Sequence, residues 1–260
     1  MKGIILAGGL GTRLSPVTII NSKQLLPVFN KPLIYYPLST LMLSGIQEIC
    51  VIASPNYVES YSKLLGNGSE FGVSFVYLEQ KNPNGIPESL LIAESFLNGS
   101  KCALILGDNI FHGSGLGRKL QQFKEVQGAK IFGYKVKNPE AYGVASLNKS
   151  GEIINLEEKP SDFISNIAVP GLYFFDEKAS SFTREIKKSE RGELEIIALL
   201  NQYLNIGQLS LEMLPRGTAW FDSGTFTDLH DAASYVRLME ERTGEPVGDP
   251  KEIARTLGWI

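Results

Sequence analysis

The segment LAGGLGTRL, residues 6–14, sets Gly8, Gly9 and Gly11 ahead of Arg13, and Lys23 follows ten residues later. Glycines placed directly after a strand let backbone N–H groups approach a phosphate closely. Arg13 adds a fixed cation with forked donors and Lys23 a second positive charge, a combination that suits a triphosphate. The pattern meets only part of a dinucleotide fingerprint, because Leu14 stands where the third glycine would be, and the Walker spacing is absent. Taken alone, the loop is equally a plain strand-to-helix turn beside two surface cations.

The other candidates are mostly acidic. Asp108 in LGDN follows an apolar run and a glycine, and Asp222 in AWFDSGT lies between apolar residues and a glycine. Mg²⁺ is typically held by one or two carboxylates plus substrate phosphates, so the two aspartates form a possible pair. Asp108 also fits a helix cap, and sequence alone does not bring the two together. In EEKP, residues 157–160, two carboxylates and a lysine can clamp a sugar hydroxyl and a phosphate, or simply make a solvated turn. His112 and His230 are too few and too isolated for a metal cluster, and no Ser-His-Asp arrangement is legible.

These residues need elements to position them. Residues 2–7 are a short apolar run ending at Gly8-Gly9, as a buried parallel strand ends at a glycine turn. Helical spacing of Leu33, Tyr36, Leu38, Leu41 and Met42 predicts a helix over residues 32–44, stopped by Gly45. Strands are predicted over residues 48–54, 73–78 and 103–106, with helices over 57–65 and 87–97 between them. That β-α-β-α order implies right-handed crossovers and a mostly parallel sheet. Further on, IFGYKV, GVASL, GEIINLE and GLYFF read as strands, and residues 179–188, 194–205 and 228–242 as helices. The expected fold is α/β and Rossmann-like, a mostly parallel mixed sheet flanked by helices. It forms a single domain over residues 1–260, with lobes at 1–110 and 111–227 and a helical segment at 228–260. The site is expected at the carboxyl ends of the parallel strands.

The chain has 260 residues, 43% of them apolar, enough for a substantial core. With 25 Lys and Arg against 28 Asp and Glu, the net charge of −3 gives no basic field for bulk nucleic-acid binding, yet leaves room for a local phosphate site. Cys50 and Cys102 both sit in apolar runs and are expected to be buried thiols in a reducing compartment. The apolar stretch at the N-terminus is too short for a signal peptide, and no run reaches membrane-spanning length. A cytoplasmic protein with no membrane partner is expected.

Together, GIILAGGLGTRLSPVT, SKQLLPVFNKPLIYYPLSTLMLSGI, LGDNIFHG, AYGVASL, EEKP, VPGLYFFD, RGELEI and AWFDSGT occur in the order seen in one family. The chain resembles the sugar-1-phosphate nucleotidyltransferases, most closely their thymidylyltransferase branch, over nearly its whole length. The first motif marks the wider class, while LGDNIF, EEKP, RGELEI and SKQLLPV are specific to the branch. The resemblance implies transfer of dTMP from dTTP to a hexose 1-phosphate, glucose 1-phosphate foremost, with pyrophosphate and a dTDP-sugar as products. UTP and an amino or deoxy hexose 1-phosphate are the alternative substrates. It implies Mg²⁺ held by Asp108 and Asp222, and catalytic roles for Arg13, Lys23 and Asp108. Nucleotide binding is implied for Leu6, Ala7, Gly8, Gly9, Gly11, Thr12, Arg13 and Gln24, with Gln80 and Gly85 reading the base. Ile86, Asp108, Tyr142, Gly143, Glu158, Val169 and Trp220 fall at the sugar pocket, and Lys159 and Arg191 at the sugar phosphate. Self-association as a dimer or tetramer, and a place in dTDP-sugar synthesis for surface polysaccharides, are implied as well.

Two departures stand out. Where the family usually reads G-L-A-Q-A, this chain has Gly85-Ile86-Pro87-Glu88-Ser89. Pro87 suits the first turn of a helix and Glu88 its dipole, but an added carboxylate there bears on substrate choice. The chain also ends at KEIARTLGWI, where longer members continue into further helices tied to subunit packing and feedback.

Overall fold

Side chains alternate across a strand, so a strand buried on both faces must feed two cores. The computed structural model, which describes residues 1–260, shows this division in its central strands. Ile5, Ala7, Val51, Ala103 and Ile105 enter a cluster of 28 buried residues on one side of the sheet. Ile4, Leu6, Cys50, Ile52, Cys102 and Leu104 enter a cluster of 22 on the other.

In chain order the first half comprises β1 (Lys2–Ala7), β2 (Pro27–Val28), β3 (Lys31–Pro32), α1 (Tyr35–Leu43), β4 (Glu48–Ala53), α2 (Val58–Leu65), β5 (Ser74–Glu79), α3 (Glu88–Ile92), α4 (Glu94–Leu97) and β6 (Cys102–Leu106). There follow β7 (Ile110–His112), α5 (Leu116–Gln121), β8 (Ala129–Lys135), β9 (Gly143–Leu147), β10 (Ile153–Glu158), β11 (Ile167–Ala168) and β12 (Leu172–Phe175). The chain closes with α6 (Ala179–Glu185), α7 (Ile196–Asn205), β13 (Leu209–Met213), β14 (Ala219–Phe221), α8 (Phe226–Thr243) and α9 (Pro250–Thr256).

One ten-stranded sheet runs β10-β9-β11-β8-β12-β6-β1-β4-β5, with β13 added beside β8. β6, β1, β4 and β5 are mutually parallel, with Ile5 paired to both Val51 and Ile105. Their carboxyl ends therefore lie on one edge, and Gly8, Gln80 and Gly107 follow directly from β1, β5 and β6. β12 runs antiparallel between β6 and β8, and β11, β9 and β10 continue antiparallel.

Several expected boundaries shift for local reasons. The helix expected from residue 32 begins at Tyr35, because Lys31 and Pro32 pair with Val28 and Pro27 as a small ribbon. The helix expected over 87–97 is divided at Ala93, whose N–H bonds back to Leu91 and Ser89 carbonyls. The helix expected to reach residue 188 ends at Glu185, with Ile186 extended. Elements that the sequence reading did not name, among them β7, α5, β13 and α9, are also present. Cys50 and Cys102 are buried and unpaired. No helix is long and apolar enough to cross a membrane.

α8 carries the loop with Asp222 at its start and is anchored at both ends. Thr225 and Asp228 form a reciprocal capping box at its first turn. Near its last turn Glu240 accepts from Lys31 Nζ at 2.6 Å, Asn30 Nδ2 at 2.7 Å and Val247 N–H at 2.8 Å. Burial pushes the Glu240 carboxyl up, but the Lys31, Val247 and Asn30 donors outweigh it and hold the group below its ordinary 4.5. A carboxyl lowered in the folded state adds stability above its unfolded value, and that stability disappears as pH falls through the folded value. Glu240→Gln is accordingly expected to cost about 2 kcal/mol at pH 7, read as a Tm drop of roughly 5 °C. The gap between variant and wild type should close as the pH is lowered through the carboxylate range, and a gap independent of pH would refute the assignment.

Candidate active site

The edge where the parallel strands end brings the glycine loop against the start of the LGDN segment. Gly107 N–H donates to Leu6 O at 2.8 Å, which turns the chain after β6 across the end of β1. Asp108 then meets Lys23, with Nζ 2.6 Å from Oδ2. The Lys23 side chain is only 7% exposed, so its charge needs that partner. Lys23 Nζ also lies 3.4 Å from Asp222 O, which draws in a third segment. Beside Lys23, Gln24 has its side-chain carbonyl taken by Ser22 Oγ at 2.8 Å and Tyr61 Oη at 3.3 Å, leaving its amide nitrogen as the donor it offers the cleft.

Asp222 is half-buried, and burial raises its carboxyl above the ordinary value. Asp228 and Asp108 push the same way, against the Gly224 N–H and Lys23. Asp108 and Asp222 therefore act on each other as like charges in one space. That is a set of hard oxygen donors whose repulsion a divalent cation relieves. Asp228 is taken up by the Thr225 N–H and hydroxyl, and no group of three or more His, Cys, Asp or Glu side chains is placed to hold a metal, so the donor set fits an ion that keeps water and substrate phosphate as ligands, as Mg²⁺ does. The Arg13 guanidinium reaches the same place, beside Gly224 and the Asp222 carboxylate.

Three adjoining hollows share walls along this edge. Gly9, Gly11, Thr12, Arg13, Lys23, Gln24, Asp108 and Gly224 line a small, wholly polar one. Leu6, Gly9, Leu10, Gly11, Thr12, Gln80, Pro83, Gly85, Ile86 and Glu193 line a second. The third is lined by Arg13, Asp108, Tyr142, Gly143, Glu158, Lys159, Val169, Trp220 and Asp222 among others. Gly9, Gly11 and Thr12 join the first two, Arg13, Asp108 and Gly224 join the first and third, and Ile86 joins the second and third.

In the second hollow Gln80 sits 4% exposed at the end of β5, and its N–H bonds to Ala53 O at 2.8 Å. Its Oε1 occupies the space where a Cβ on Gly8 would stand, so residue 8 must be glycine for this side chain to reach across. Gly85, at φ +110°, bridges to Leu194, whose carbonyl leaves no space for a side chain.

In the third hollow Tyr142 and Trp220 meet at 5.1 Å between ring centroids. Burial, with Asp222 and Asp228 nearby, pushes the Tyr142 hydroxyl up to about 12 against the pull of Arg13. Glu158, paired across the ladder with Gly143, is raised above the ordinary carboxylate value by burial. Lys159 and Arg191 oppose that rise, and Glu195 and Glu193 add to it.

Of the residues singled out in the sequence, nearly all line one of these hollows. Ala7 is buried in the core beneath the loop, and Gly8 is covered by Gln80. Arg191 stands at the rim, 3.0 Å from Glu195 and 3.8 Å from Glu158. Sequence reasoning missed Asn109, Tyr173, Gly171, Leu10 and Glu193. Asn109 is 2% exposed, and its Oδ1 accepts from Trp220 Nε1 at 2.7 Å and Gly171 N–H at 3.0 Å, while its Nδ2 donates to Asp108 Oδ1 at 2.9 Å. Its place directly after Asp108 was the one available signal.

Known proteins share this architecture. The family model described as nucleotidyl transferase matches residues 2–237. The glucose-1-phosphate thymidylyltransferase of Mycolicibacterium smegmatis is 52% identical over 260 residues, covering 100% of this chain and 90% of that protein. The enzyme of the same name from Xanthomonas campestris is 50% identical, with 100% and 88% covered. Among solved structures, a Bacillus anthracis chain assigned as a glucose-1-phosphate thymidylyltransferase, in complex with sucrose, aligns with a TM-score of 0.84 at 39% identity, covering 91% of this chain and 95% of that one. A UDP-glucose pyrophosphorylase complexed with UDP-glucose shares the fold, with a TM-score of 0.79 at 24% identity over 92% and 98% of the two chains.

The Asn109 contacts make a direct test of how the third hollow is held. Asn109→Ala strands the buried Trp220 indole N–H and the Gly171 N–H, and should cost about 3 kcal/mol. Denaturant unfolding reads the loss, and an altered Trp220 emission in the still-folded variant reads the released ring. A variant as stable as wild type with unchanged emission would contradict this role.

Proposed function

The chain belongs to the nucleotidyl transferase family, and from that premise we propose that it transfers a thymidylyl group from dTTP to glucose 1-phosphate, giving dTDP-glucose and pyrophosphate. The observation that carries this reading is the continuity of the three hollows, with Arg13 and Asp108 on the wall between the polar one and the one containing Glu158 and Lys159. A triphosphate lying along the glycine loop, with its base toward Gln80, faces a sugar phosphate held beside Lys159.

In this reaction an oxygen of the sugar phosphate forms a bond to the α-phosphorus as the bond from that phosphorus to the bridging oxygen of pyrophosphate breaks. The bonding pair leaves with pyrophosphate, so the chemistry needs alignment and charge neutralisation rather than a covalent enzyme group. Asp108 and Asp222 would hold Mg²⁺, which when bound neutralises phosphate charge and polarises the phosphoryl oxygens. Arg13 neutralises the charge that develops on the departing pyrophosphate. Lys23, kept in place by Asp108, holds phosphate oxygens where charge is redistributed. The amides of Gly9 and Gly11, with Thr12 and Gln24, line the triphosphate. Gly8 and Ala7 act from beneath by admitting Gln80 and anchoring the loop, and Leu6 and Gly85 flank the base.

For the sugar, the Glu158 carboxylate accepts hydroxyls, and Tyr142, Trp220, Val169 and Ile86 form the apolar wall. The Gly143 backbone edges the same pocket. Lys159 meets the sugar phosphate, and Arg191 supports it from the rim by pairing with Glu158. We place the protein in the reducing cytoplasm, which suits two free thiols that burial pushes up to about 12.

A pyrophosphate-release assay with glucose 1-phosphate should give dTTP as the best nucleotide and UTP next, with activity lost on chelation and restored by Mg²⁺. Clear preference for ATP or CTP would overturn the thymidylyl assignment. Arg13→Ala should lower kcat by about 100-fold, as removal of a group acting on transition-state charge does. An unchanged kcat would remove Arg13 from the mechanism.

A further inference from the structure

We propose that Glu195 is a positioning residue that holds the Arg191 guanidinium off the Glu158 carboxylate at the mouth of the third hollow. The guanidinium is thereby kept free for the phosphate of glucose 1-phosphate, and the carboxylate for sugar hydroxyls. The proposal rests on the nucleotidyl-transfer reading and goes beyond it, since Glu195 lines none of the three hollows.

Arg191 stands on a turn in which Gly192 N–H donates to Ser189 O and Ser189 N–H to Glu193 O, both at 2.8 Å. Its side chain is 50% exposed, so burial does little to fix a long, rotamer-rich chain. Glu195 is better held. It directly precedes α7, and its carbonyl accepts the Ala198 N–H at 3.1 Å. Its side chain is 18% exposed, and Oε1 accepts from Ser189 Oγ at 2.7 Å and lies 3.0 Å from Arg191 Nη2. The same Arg191 nitrogen lies 3.8 Å from Glu158 Oε1, beyond hydrogen-bond reach. One guanidinium therefore stands between two carboxylates, and it is closer to the one outside the sugar hollow.

A guanidinium and a carboxylate favour a direct, forked pair when nothing competes with it. Were Arg191 to close that pair with Glu158, its donors and the carboxylate's acceptors would be occupied with each other. Both would then be withdrawn from a sugar phosphate. Glu195 opposes this by Coulomb attraction from the other side, and Ser189 keeps its carboxylate turned that way. A carboxamide at position 195 keeps the size and can keep the Ser189 contact, but it lacks the charge. Glu158 is then the remaining ion-pair partner of Arg191, and the pair closes.

The test is a double-mutant cycle on KM for glucose 1-phosphate, with dTTP saturating, in wild type, Glu195→Gln, Arg191→Ala and the double variant. Glu195→Gln should raise that KM about tenfold, with kcat and KM for dTTP each within about threefold of wild type. In the Arg191→Ala background the same change should add less than about twofold, because Glu195 acts only through Arg191. A KM that stays at the wild-type value, a loss shared by kcat and both substrates, or an equal effect in the two backgrounds overturns the proposal. If turnover of a variant is too low to measure, the dissociation constant of glucose 1-phosphate by calorimetry is read against the same outcomes, with each variant's Tm as the folding control. A wild type that does not turn over glucose 1-phosphate refutes the transfer reading itself. An Arg191→Ala variant that is impaired toward the sugar phosphate, with Glu195→Gln acting alike in both backgrounds, refutes the role of Glu195 alone.

Discussion

Lys23 and Asp108 stand 2.6 Å apart, and the cleft is organised around that contact. A side chain as enclosed as Lys23 cannot keep its charge without a partner, because desolvation of an ammonium costs several kcal/mol. Meeting the requirement ties the segment after β1 to the end of β6, and the Asp222 carbonyl draws in the loop before α8. The same contact leaves Asp222 as a carboxylate facing a second carboxylate, with Asp228 close behind it. The charge imbalance at the centre of the cleft thus follows from a stabilising pair, and a divalent cation is the kind of group that relieves it.

The remaining walls depend on polar atoms that reach between distant elements. Asn109 links the β7–β14 ribbon, through Trp220, to the backbone at Gly171 just before β12. Gln80 crosses from β5 over the end of β4 to Gly8, a path open only because residue 8 has no side chain. Glu88 and Asn84 then brace that amide from the side of α3. α8, capped at Thr225 and joined through Glu240 to Lys31 of the β2–β3 ribbon, follows directly on the Asp222 loop. Each link joins rigid strand ends to a loop, so loops that carry function are held to a few orientations.

Much of this was legible from local pattern. β1, β4 and β6 are short, apolar on both faces and bounded by turn residues, so their positions were plain. The glycine loop and Asp108 were readable because each follows such a strand directly. β13 and α5 were not, since one is a half-exposed strand and the other a short helix, and neither has a strong period. α9 carried an overlooked signal, Asp249 as its cap and Pro250 at its first position. For Arg191, expected at the sugar phosphate, the sequence did not reveal that Glu195 and Glu158 both approach the guanidinium.

By itself the sequence determined which groups are present and which strand ends they follow, because hydrophobic periodicity and glycine placement act over a few residues. Tertiary structure alone decided that Asp108 and Asp222 share one space, that Lys23 lies between their segments, and that Gln80 turns its nitrogen to Glu88 and its oxygen to Gly8. The physical reason is that Coulomb interactions and hydrogen bonds depend on separation and direction in space. Neither is encoded by spacing along the chain until the parallel strands bring their ends to one edge.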